Sequence, residues 1–497
     1  MATYQQFADG EEMTILDNGM HVMTKTDRTD PVVAMKVQVV NTGMYYEDHR
    51  GARETEMSHI LEHVVAKGSI RHGVFAPYSD LIDELSYTAI GSNATTNNHS
   101  TNYALDKNTN PIQVLKEYEG QEDWRIILEA NLDMCFYPNF ENNIVEAEYL
   151  AVKNETSGYA YREEQDKNAL KYRELTRAFY PEIRNYRLSD TERLNALLSR
   201  PVTAERLEEF WLQHYHPSAI RVSVCGDITH QEVVDVCSHA AYNRRNEPLA
   251  QRGFGRLLQQ DADIRIPDPM AEICSFSLVF GDNEASGSLE NSPRGDQIKM
   301  LYEKIFSHEL LLELRHNRRL VYGCSVNHAI LFSDNQNFMA IETSCLPQDV
   351  LGMTKGILSV SERLLEKPTI VEEILEKIIR TEKKQDCMDA RLFPKGYAKR
   401  NIDALEVYGT IMPPSCTREI RYSITPPEIM SYHAQRLCAS AMGILTYGNT
   451  EHAPPFEQVK DALSSLGRSY SPSSSCTRPG GIRQRGEDFR TGPSPAK

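Results

Sequence analysis

The order of apolar and polar residues along the chain predicts strands that alternate with helices. In MTILDNGMHVMTK, β-prone residues lie on both sides of Asp17-Asn18-Gly19, which predicts a hairpin because Asn-Gly suits a tight turn with positive φ. The β-branched run from Pro31 to Val40 predicts a buried strand. Helical character from Glu54 to Ala66 ends at Lys67 and Gly68, a basic last turn followed by a glycine stop.

The second half of the chain repeats this plan. Residues Ile273 to Glu284 predict a strand comparable to the one in the first half, and Gln297 to Arg319 predict a long helix. The segment LVYGCSVNHAILF follows as strand material, and a helix-rich block extends from Val350 to Lys384. The segments CGDIT and YGNT end the two halves, with Gly226 and Gly448 lying 222 residues apart. The pattern favours a duplicated α+β domain, with two unrelated α/β domains as the alternative.

These elements divide the chain into four parts. We predict an N-terminal domain over residues 1–250, a linker over 251–269, a C-terminal domain over 270–467 and a tail over 468–497. The tail holds six basic and two acidic residues among many Ser, Pro and Gly, and such a composition cannot bury a core. We therefore expect a disordered tail, with a partner-binding arm as the alternative.

Composition restricts the class of protein. The 497 residues are 40% hydrophobic and include ten Cys but no C-x-x-C pair, which argues against a disulfide scaffold or a zinc finger and fits reduced thiols. The net charge of −16 argues against a nucleic-acid-binding surface, and no apolar run approaches the roughly 18 residues of a membrane span. The N-terminus shows neither a secretory signal nor a clear mitochondrial transit peptide. We expect a cytoplasmic protein that binds neither nucleic acid nor membrane, with the mitochondrial matrix as the alternative location.

The predicted helix around SHILEHVVAKG carries candidate chemistry. His59 and His63 are four residues apart, so both imidazoles lie on one helix face and can bind one metal ion. Glu62, three residues after His59, points to the same side. There it could take a proton from a metal-activated water, as in the inverted form of the H-E-x-x-H motif. An ordinary helix with two surface histidines is the alternative for the motif alone.

A catalytic zinc needs a third protein ligand and leaves its fourth position to water. In NNIVEAEYLAVKNETSGY, Glu148 and Glu155 lie seven residues apart on a helical stripe that is otherwise mostly apolar or aromatic. Carboxylates on a buried face are costly unless they are paired or bind a metal. The alternative is a half-buried stripe whose carboxylates only form salt bridges.

The pattern H-x-x-E-H followed by E-x6-E resembles the signature of the pitrilysin/insulinase family of zinc metallopeptidases, which includes the mitochondrial processing peptidases. Further segments are similar to family sequences. LDNGMHV resembles the opening hairpin, HVVAKGS the sequence after the zinc helix, GSNATTNNHSTNY a strand segment, and HPSAIRVSVCGDI the end of the first domain. The similarity covers about residues 12–450 and is strongest in the first 230.

The resemblance implies an α+β fold of two similar metallopeptidase-like domains, each a mainly antiparallel sheet covered by helices, of which the second binds no metal. It implies that His59, His63 and Glu155 bind Zn²⁺. By the same resemblance, Glu62 is the general base, and Glu148 orients one of the histidine ligands.

Two further sets of residues follow from the resemblance. Asn93 and Ala94 would lie on the edge strand beside which a peptide substrate adds as an extra strand. Arg315 and Tyr322 form an R-x6-Y pair in LLLELRHNRRLVYGCSV, and such a pair would hold the substrate carbonyl and stabilise the oxyanion. From composition alone, the pair is a basic helix end and a tyrosine in a strand.

One spacing departs from the family pattern. His63 and Glu155 are 92 residues apart, which is longer than usual in the family. We expect the excess in the polar stretch from Lys107 to Asp123, as a surface insertion. Such an insertion costs little free energy, because the entropic cost of closing a loop grows slowly with its length.

We therefore predict a zinc metalloendopeptidase that hydrolyses peptides or unfolded segments. The alternatives are a non-catalytic or partner-dependent subunit of a processing-peptidase-like complex, and a zinc-binding scaffold protein without turnover. The length corresponds to half of the closed chamber formed by the family's long members. We expect a homodimer in which each zinc site borrows Arg315 and Tyr322 from the second copy, with a heterodimer with a related subunit as the alternative.

Overall fold

The computed structural model of the protein describes most of the chain. The described residues are 2–47, 54–71, 73–87, 93–97, 99–165, 188–243, 261–268, 270–281, 292–328, 339–388, 394–438, 442–450 and 453–469, with a few positions between 170 and 178. Residues 251–260 of the predicted linker and the predicted tail from position 470 onward lie outside the described residues.

The strands contribute to two main sheets and one short ribbon. Their bounds are β1 Thr3–Gln6, β2 Glu11–Ile15, β3 His21–Thr26, β4 Val32–Val40, β5 Gly68–Arg71, β6 Val74–Pro77, β7 Asn93–Thr96, β8 Ser100–Leu105, β9 Ile112–Leu115, β10 Ile220–Gly226, β11 Ala262–Pro267, β12 Cys274–Phe280, β13 Val321–His328, β14 Met339–Cys345 and β15 Met442–Gly448.

Helices separate and cover these strands. Their bounds are α1 Met57–Ala66, α2 Tyr78–Glu84, α3 Asp123–Phe136, α4 Asn142–Gln165, α5 Asp190–Ser199, α6 Ala204–His214, α7 His230–Cys237, α8 Pro293–Leu311, α9 Val350–Glu366, α10 Pro368–Met388, α11 Pro394–Tyr408, α12 Pro414–Tyr422, α13 Pro426–Leu437 and α14 Phe456–Ser469.

The first sheet has the strand order β1-β2-β3-β10-β4-β8-β7, and β9 also pairs with β4. Strands β2 and β3 form the predicted hairpin, with Ile15 opposite His21. In its turn Gly19 has a φ of 89°, and the Asn18 side chain accepts a hydrogen bond from the backbone N–H of Met20 at 3.0 Å. The pairing of the two strands confirms the hairpin prediction, and Gly19 adopts the positive φ without strain.

The second sheet has the order β11-β15-β12-β14-β13 and repeats the centre of the first. Strand β15 pairs parallel with β11 and antiparallel with β12, as β10 pairs parallel with β3 and antiparallel with β4. Gly226 and Gly448 end β10 and β15 with φ of 135° and 100°. A Cβ at these positions would lie 2.1 Å from the Val32 carbonyl oxygen and 2.4 Å from that of Ile273. The two glycines noted in the sequence therefore occupy corresponding places.

Helices pack on both sheets. Leu61 of α1 shares one core with Val37 of β4, and Ile305 of α8 shares another with Leu278 of β12. The predicted α+β class, with sheets covered by helices, is confirmed. None of the helices in the described part of the chain has the length and apolar character to span a bilayer.

Helix α11, from the second half of the chain, packs on the first sheet against β4 and β10. Ala398 of this helix forms a small core with Ala34 and Cys225. Asp403 of the same helix forms an ion pair with Lys36 at 3.6 Å. Successive strand residues point to opposite faces, so α11 covers the face of β4 opposite to Val37. Both faces of β4 are thus covered, which explains why the strand is buried at every residue from Val33 to Val39.

Several elements differ from the expectations in detail. Residues 262–267, inside the predicted linker 251–269, form β11, an edge strand with alternating exposure. The stretch from Gln297 to Arg319 is α8 followed by a π-helical turn, Leu312–Asn317. The block from Val350 to Lys384 is two helices that break at Lys367, because Pro368 disfavours helical backbone in the preceding residue.

The stretch from Lys107 to Asp123 is not only a surface insertion. Its residues Ile112 and Val114 are buried in β9, which pairs antiparallel with the first half of β4. The strand forms because two apolar residues with a polar residue between them bury one face of a short strand. Part of the stretch in which we expected a surface insertion is therefore a strand of the first sheet.

Candidate metal centre

Helix α1 places both histidines and Glu62 on one side. The carboxylate of Glu47 fixes its start by accepting backbone hydrogen bonds from Glu56 at 3.2 Å and Ser58 at 2.9 Å. The apolar residues between the histidines are buried, so rotation of the helix would expose them to water. His59 and His63 occupy the remaining face, and each side chain is 20% exposed.

Helix α4 supplies the predicted third ligand. Val145 and Val152 are buried and fix the inward face of the helix. Glu148 lies between them on that face and is also buried, whereas the side chain of Glu155 is 45% exposed. The stripe seen in the sequence thus has a buried carboxylate and a half-exposed one.

The structure brings the three predicted ligands together. One candidate ligand atom from each of His59, His63 and Glu155 lies within 4.8 Å of the other two. The Nε2 atom of His59 is 3.5 Å from Glu155 Oε2, and the Nε2 atom of His63 is 3.8 Å from Glu155 Oε1. The imidazole centroids are 5.0 Å apart with an interplanar angle of 79°.

Glu148 holds the ring of His63. Its Oε2 lies 3.1 Å from His63 Nδ1, and its Oε1 lies 3.0 Å from Lys67 Nζ, whose side chain is 52% exposed. An ionised carboxylate can only accept hydrogen bonds, so Nδ1 of His63 is the donor. This leaves the Nε2 lone pair directed toward the cluster, in the position predicted for Glu148 as an orienting residue.

Glu56 holds the ring of His59 in the same way, although it was not among the residues predicted from the sequence. Its Oε2 lies 2.9 Å from His59 Nδ1, and its Oε1 pairs with the guanidinium of Arg193 on α5. The spacing of three residues before His59 is a signal that could have identified Glu56. Nothing in the sequence marks Arg193, which lies 134 positions after His59.

Burial and charge shift the pKa values around these residues. Burial raises the pKa of Glu47 to about 7, with a further contribution from the charge of Glu56. Burial would also raise the pKa of Glu56, but Arg193 and His59 together lower it. Burial would lower the pKa of His59, but the hydrogen bond to Glu56 raises it overall.

Glu62 faces the edge of the first sheet. Burial raises its pKa, and a hydrogen bond with Thr96 of β7 opposes that increase. Strand β7 is last in the sheet order, and α1 packs against it. Asn93 donates to the carbonyl of Asp106 at 3.1 Å, and the strand register shifts across Ala94. The two residues predicted to bind substrate therefore lie on the edge strand beside Glu62.

Arg315 and Tyr322 lie in the second half of the chain. Arg315 belongs to the π-helical turn, and Tyr322 belongs to the edge strand β13. The Arg315 guanidinium is 4.8 Å from the centroid of the Tyr322 ring. Tyr322 is 85% exposed. Among the described residues, no hydrogen bond or ion pair joins either side chain to His59, His63 or Glu155.

The donor set fits a catalytic zinc ion. Two imidazoles and one carboxylate are the three protein ligands of several catalytic zinc sites, with one position left open. Each histidine donates its Nδ1 proton to a carboxylate, and this arrangement is typical of metal-binding histidines. The half-exposed side chain of Glu155 leaves the cluster accessible from solvent.

A protein-family model matches part of the chain. Residues 201–382 match the model described as the peptidase M16 inactive domain. His59, His63 and Glu155 all precede that range. The chain therefore contains a region of the inactive-domain type and, outside it, the cluster of candidate ligands.

Solved structures share the fold. The first half of the periplasmic protease PqqL from Escherichia coli has a TM-score of 0.69 at 14% identity, covering 94% of this chain and 98% of that chain. Against the whole protease, the match covers 95% of this chain and 51% of that one. The peptidase M16 inactive domain from Pseudomonas fluorescens has a TM-score of 0.62 at 14% identity, covering 91% and 100%. These likenesses show an M16-type fold, which occurs in proteases and in an inactive domain.

One curated relative also matches. An uncharacterized protein of Caenorhabditis elegans is 22% identical over 191 residues, which are 37% of this chain and 18% of that protein. The match thus covers less than a fifth of the length of this relative.

Proposed function

We propose that the protein is a zinc-dependent endopeptidase that hydrolyses peptides or unfolded segments. The observation that carries this proposal is the convergence of His59, His63 and Glu155 within 4.8 Å, with Glu62 on the same helix. The M16-type fold supports it, because proteases are among the structures that share the fold. The inactive-domain match does not oppose it, because that match begins after the cluster.

His59, His63 and Glu155 would hold the metal. Zinc bound there would supply Lewis acidity and lower the pKa of a water molecule. Glu62 accepts the proton of the attacking water on its carboxylate and passes it to the amine of the leaving peptide. In the metal-free protein, burial raises its pKa, toward the range in which a general base works best.

The edge strand β7 supports binding of extended peptides. An extended peptide can add to such an edge through backbone hydrogen bonds, and Glu62 lies beside this strand through its bond to Thr96. Asn93 and Ala94 would then contact the peptide near the scissile bond. Backbone recognition of this kind requires an unfolded or flexible substrate, so folded proteins are expected to resist cleavage.

Digestion of an unstructured peptide pool tests the proposal. Protein loaded with one equivalent of zinc is incubated with the pool, with and without chelator, and the products are identified by mass spectrometry. We expect internal cleavage that chelator abolishes and that added zinc restores. Cleavage that chelator leaves unchanged would overturn the metal mechanism, and stoichiometric zinc without any cleavage would favour a zinc-binding scaffold.

The half-length fold supports a dimer, because the chain matches about half of a longer protease. We propose that the second copy supplies Arg315 and Tyr322 to each site, where they stabilise the oxyanion. Mixing two inactive variants tests this: Glu62→Gln has an intact pair, and Tyr322→Ala has an intact base. Heterodimers are expected to regain activity in one of their two sites, and mixtures with no regained activity would contradict the shared site.

A further inference from the structure

The backbone of Glu56 is held in a conformation that residues other than glycine rarely adopt. It precedes α1 with a φ of 62° and a ψ of 11°, in the left-handed region. Such conformations persist where the surroundings fix them, and they cluster at functional sites. Here the surroundings include Glu47, which accepts the Glu56 backbone hydrogen bond at 3.2 Å. The left-handed backbone directs the Glu56 side chain back toward the first turn of α1, where His59 lies.

The carboxylate of Glu56 is buried between two partners. Its side chain is fully buried, with Oε1 paired to Arg193 and Oε2 at 2.9 Å from His59 Nδ1. Arg193 is itself held by Asp190 at 3.2 Å. A buried charge is tolerated when it is paired and hydrogen-bonded, so the ion pair with Arg193 keeps Glu56 ionised and able only to accept.

The acceptor decides which nitrogen of His59 carries the proton. Because Glu56 accepts from Nδ1, the neutral ring keeps its proton there and leaves the Nε2 lone pair free. That Nε2 lies 3.5 Å from Glu155, on the side where the three candidate ligands converge. His63 has a comparable carboxylate in Glu148, but the cation behind it, Lys67, is half-exposed.

We propose that Glu56, fixed by Arg193, is a positioning residue that sets the tautomer and ring orientation of His59 for metal binding. The inference rests on the proposed metal site and adds two residues to it. It assigns a purpose to the left-handed backbone, which a helix start alone does not require. Loss of a carboxylate that supports a histidine ligand typically weakens metal binding by about 10–100-fold.

The substitution Glu56→Gln provides a sharp test, because the new amide has a donor end and an acceptor end. In Glu56→Gln, the guanidinium of Arg193 attracts the amide oxygen, so the amide NH₂ group faces His59 Nδ1. This favours the tautomer with the proton on Nε2, which cannot bind a metal through that atom. In the double variant Glu56→Gln with Arg193→Met, the oxygen is free to face His59 and accept from Nδ1 again.

Zinc affinity is measured by competition with a chromophoric chelator, at a temperature where circular dichroism shows each protein to be folded. We expect about 10–100-fold weaker binding in Glu56→Gln and recovery of at least half of that loss, on a logarithmic scale, in the double variant. Ser58→Ala is the matched control, since it removes the hydroxyl hydrogen bond from Ser58 to Glu47 at the same helix end and leaves the carboxylate behind the His59 ring in place, and it should bind zinc as the wild type does.

The outcomes separate this inference from the proposed function. Zinc binding by the wild type together with unchanged affinity in Glu56→Gln would overturn the positioning role and leave the metal site intact. Equal losses in Glu56→Gln, the double variant and Ser58→Ala would also overturn it, because they would indicate general damage to the helix start. A wild type that binds no zinc would overturn the proposed function itself, and the positioning role with it.

Discussion

Two cations near the candidate metal centre offer a matched pair of substitutions. Arg193 supports Glu56 behind His59, and Lys67 supports Glu148 behind His63. Replacing each cation by methionine keeps much of the side-chain length and removes the charge. We expect Arg193→Met to destabilise the metal-free protein strongly and Lys67→Met to have little effect on its free energy of unfolding.

The difference follows from the exposure of each pair. The Glu56 side chain is fully buried and Arg193 is 20% exposed, and removing one partner of a buried pair costs about 3–5 kcal/mol. Lys67 is 52% exposed, and pairs of this kind contribute about 0–1 kcal/mol. The expected gap between the two variants is therefore about 2–5 kcal/mol.

Urea unfolding of the metal-free protein measures both values. The chain has two tryptophans, Trp124 of α3 and Trp211 of α6, and both are buried in the core of the first sheet. Their fluorescence therefore reports the unfolding of the part that carries the site. The free energy of unfolding of each variant is compared with that of the wild type, provided that its slope against urea concentration is unchanged.

Equal effects of the two substitutions would refute this reasoning. If Arg193→Met cost less than about 1 kcal/mol, Glu56 would not depend on its cation, as a buried carboxylate should. A loss of about 3 kcal/mol or more in Lys67→Met would instead show that the half-exposed pair behaves as a buried one.

Two further predictions concern the proposed third ligand and a buried histidine in the second half of the chain. Glu155→Gln should weaken zinc binding by more than roughly 100-fold, the upper value for loss of a supporting carboxylate. Glu146 is exposed on the same helix, so Glu146→Gln should bind zinc as the wild type does. Equal zinc affinities of the two variants by calorimetry would mean that the third ligand is another residue. Burial lowers the pKa of His433 to about 4, so between roughly pH 6.5 and 4 the unfolded chain binds a proton that the folded chain excludes. The free energy of unfolding should therefore fall by up to ~3 kcal/mol as the pH decreases through this range; His433→Asn should flatten that part of the urea-stability profile, and an unchanged slope would contradict the assignment.

The predictions from sequence worked where local periodicity determines the geometry. The spacing of His59 and His63 places them together because a helix repeats every 3.6 residues. The same periodicity placed Glu148 on the buried face of α4. Glu155 was harder to locate, because the stripe leaves it half-exposed and only its approach to the histidines gives it a role.

Contacts between distant parts of the chain could not be predicted in this way. The pairing of Glu56 with Arg193 depends on the packing of α5 beside α1, which no spacing in the sequence encodes. Helix α11 covers the first sheet although it follows most of the second half. Strand β11 looked like a linker because an edge strand exposed on one side has few apolar residues.

Glu62 is the proposed general base of a zinc peptidase. The most direct measurement is the rate of cleavage of a fluorogenic peptide by the wild type and by Glu62→Gln, both at equal, measured zinc content. We predict that the variant binds zinc as the wild type does and cleaves about 10²–10⁴-fold more slowly. Equal rates at equal zinc content would contradict the account.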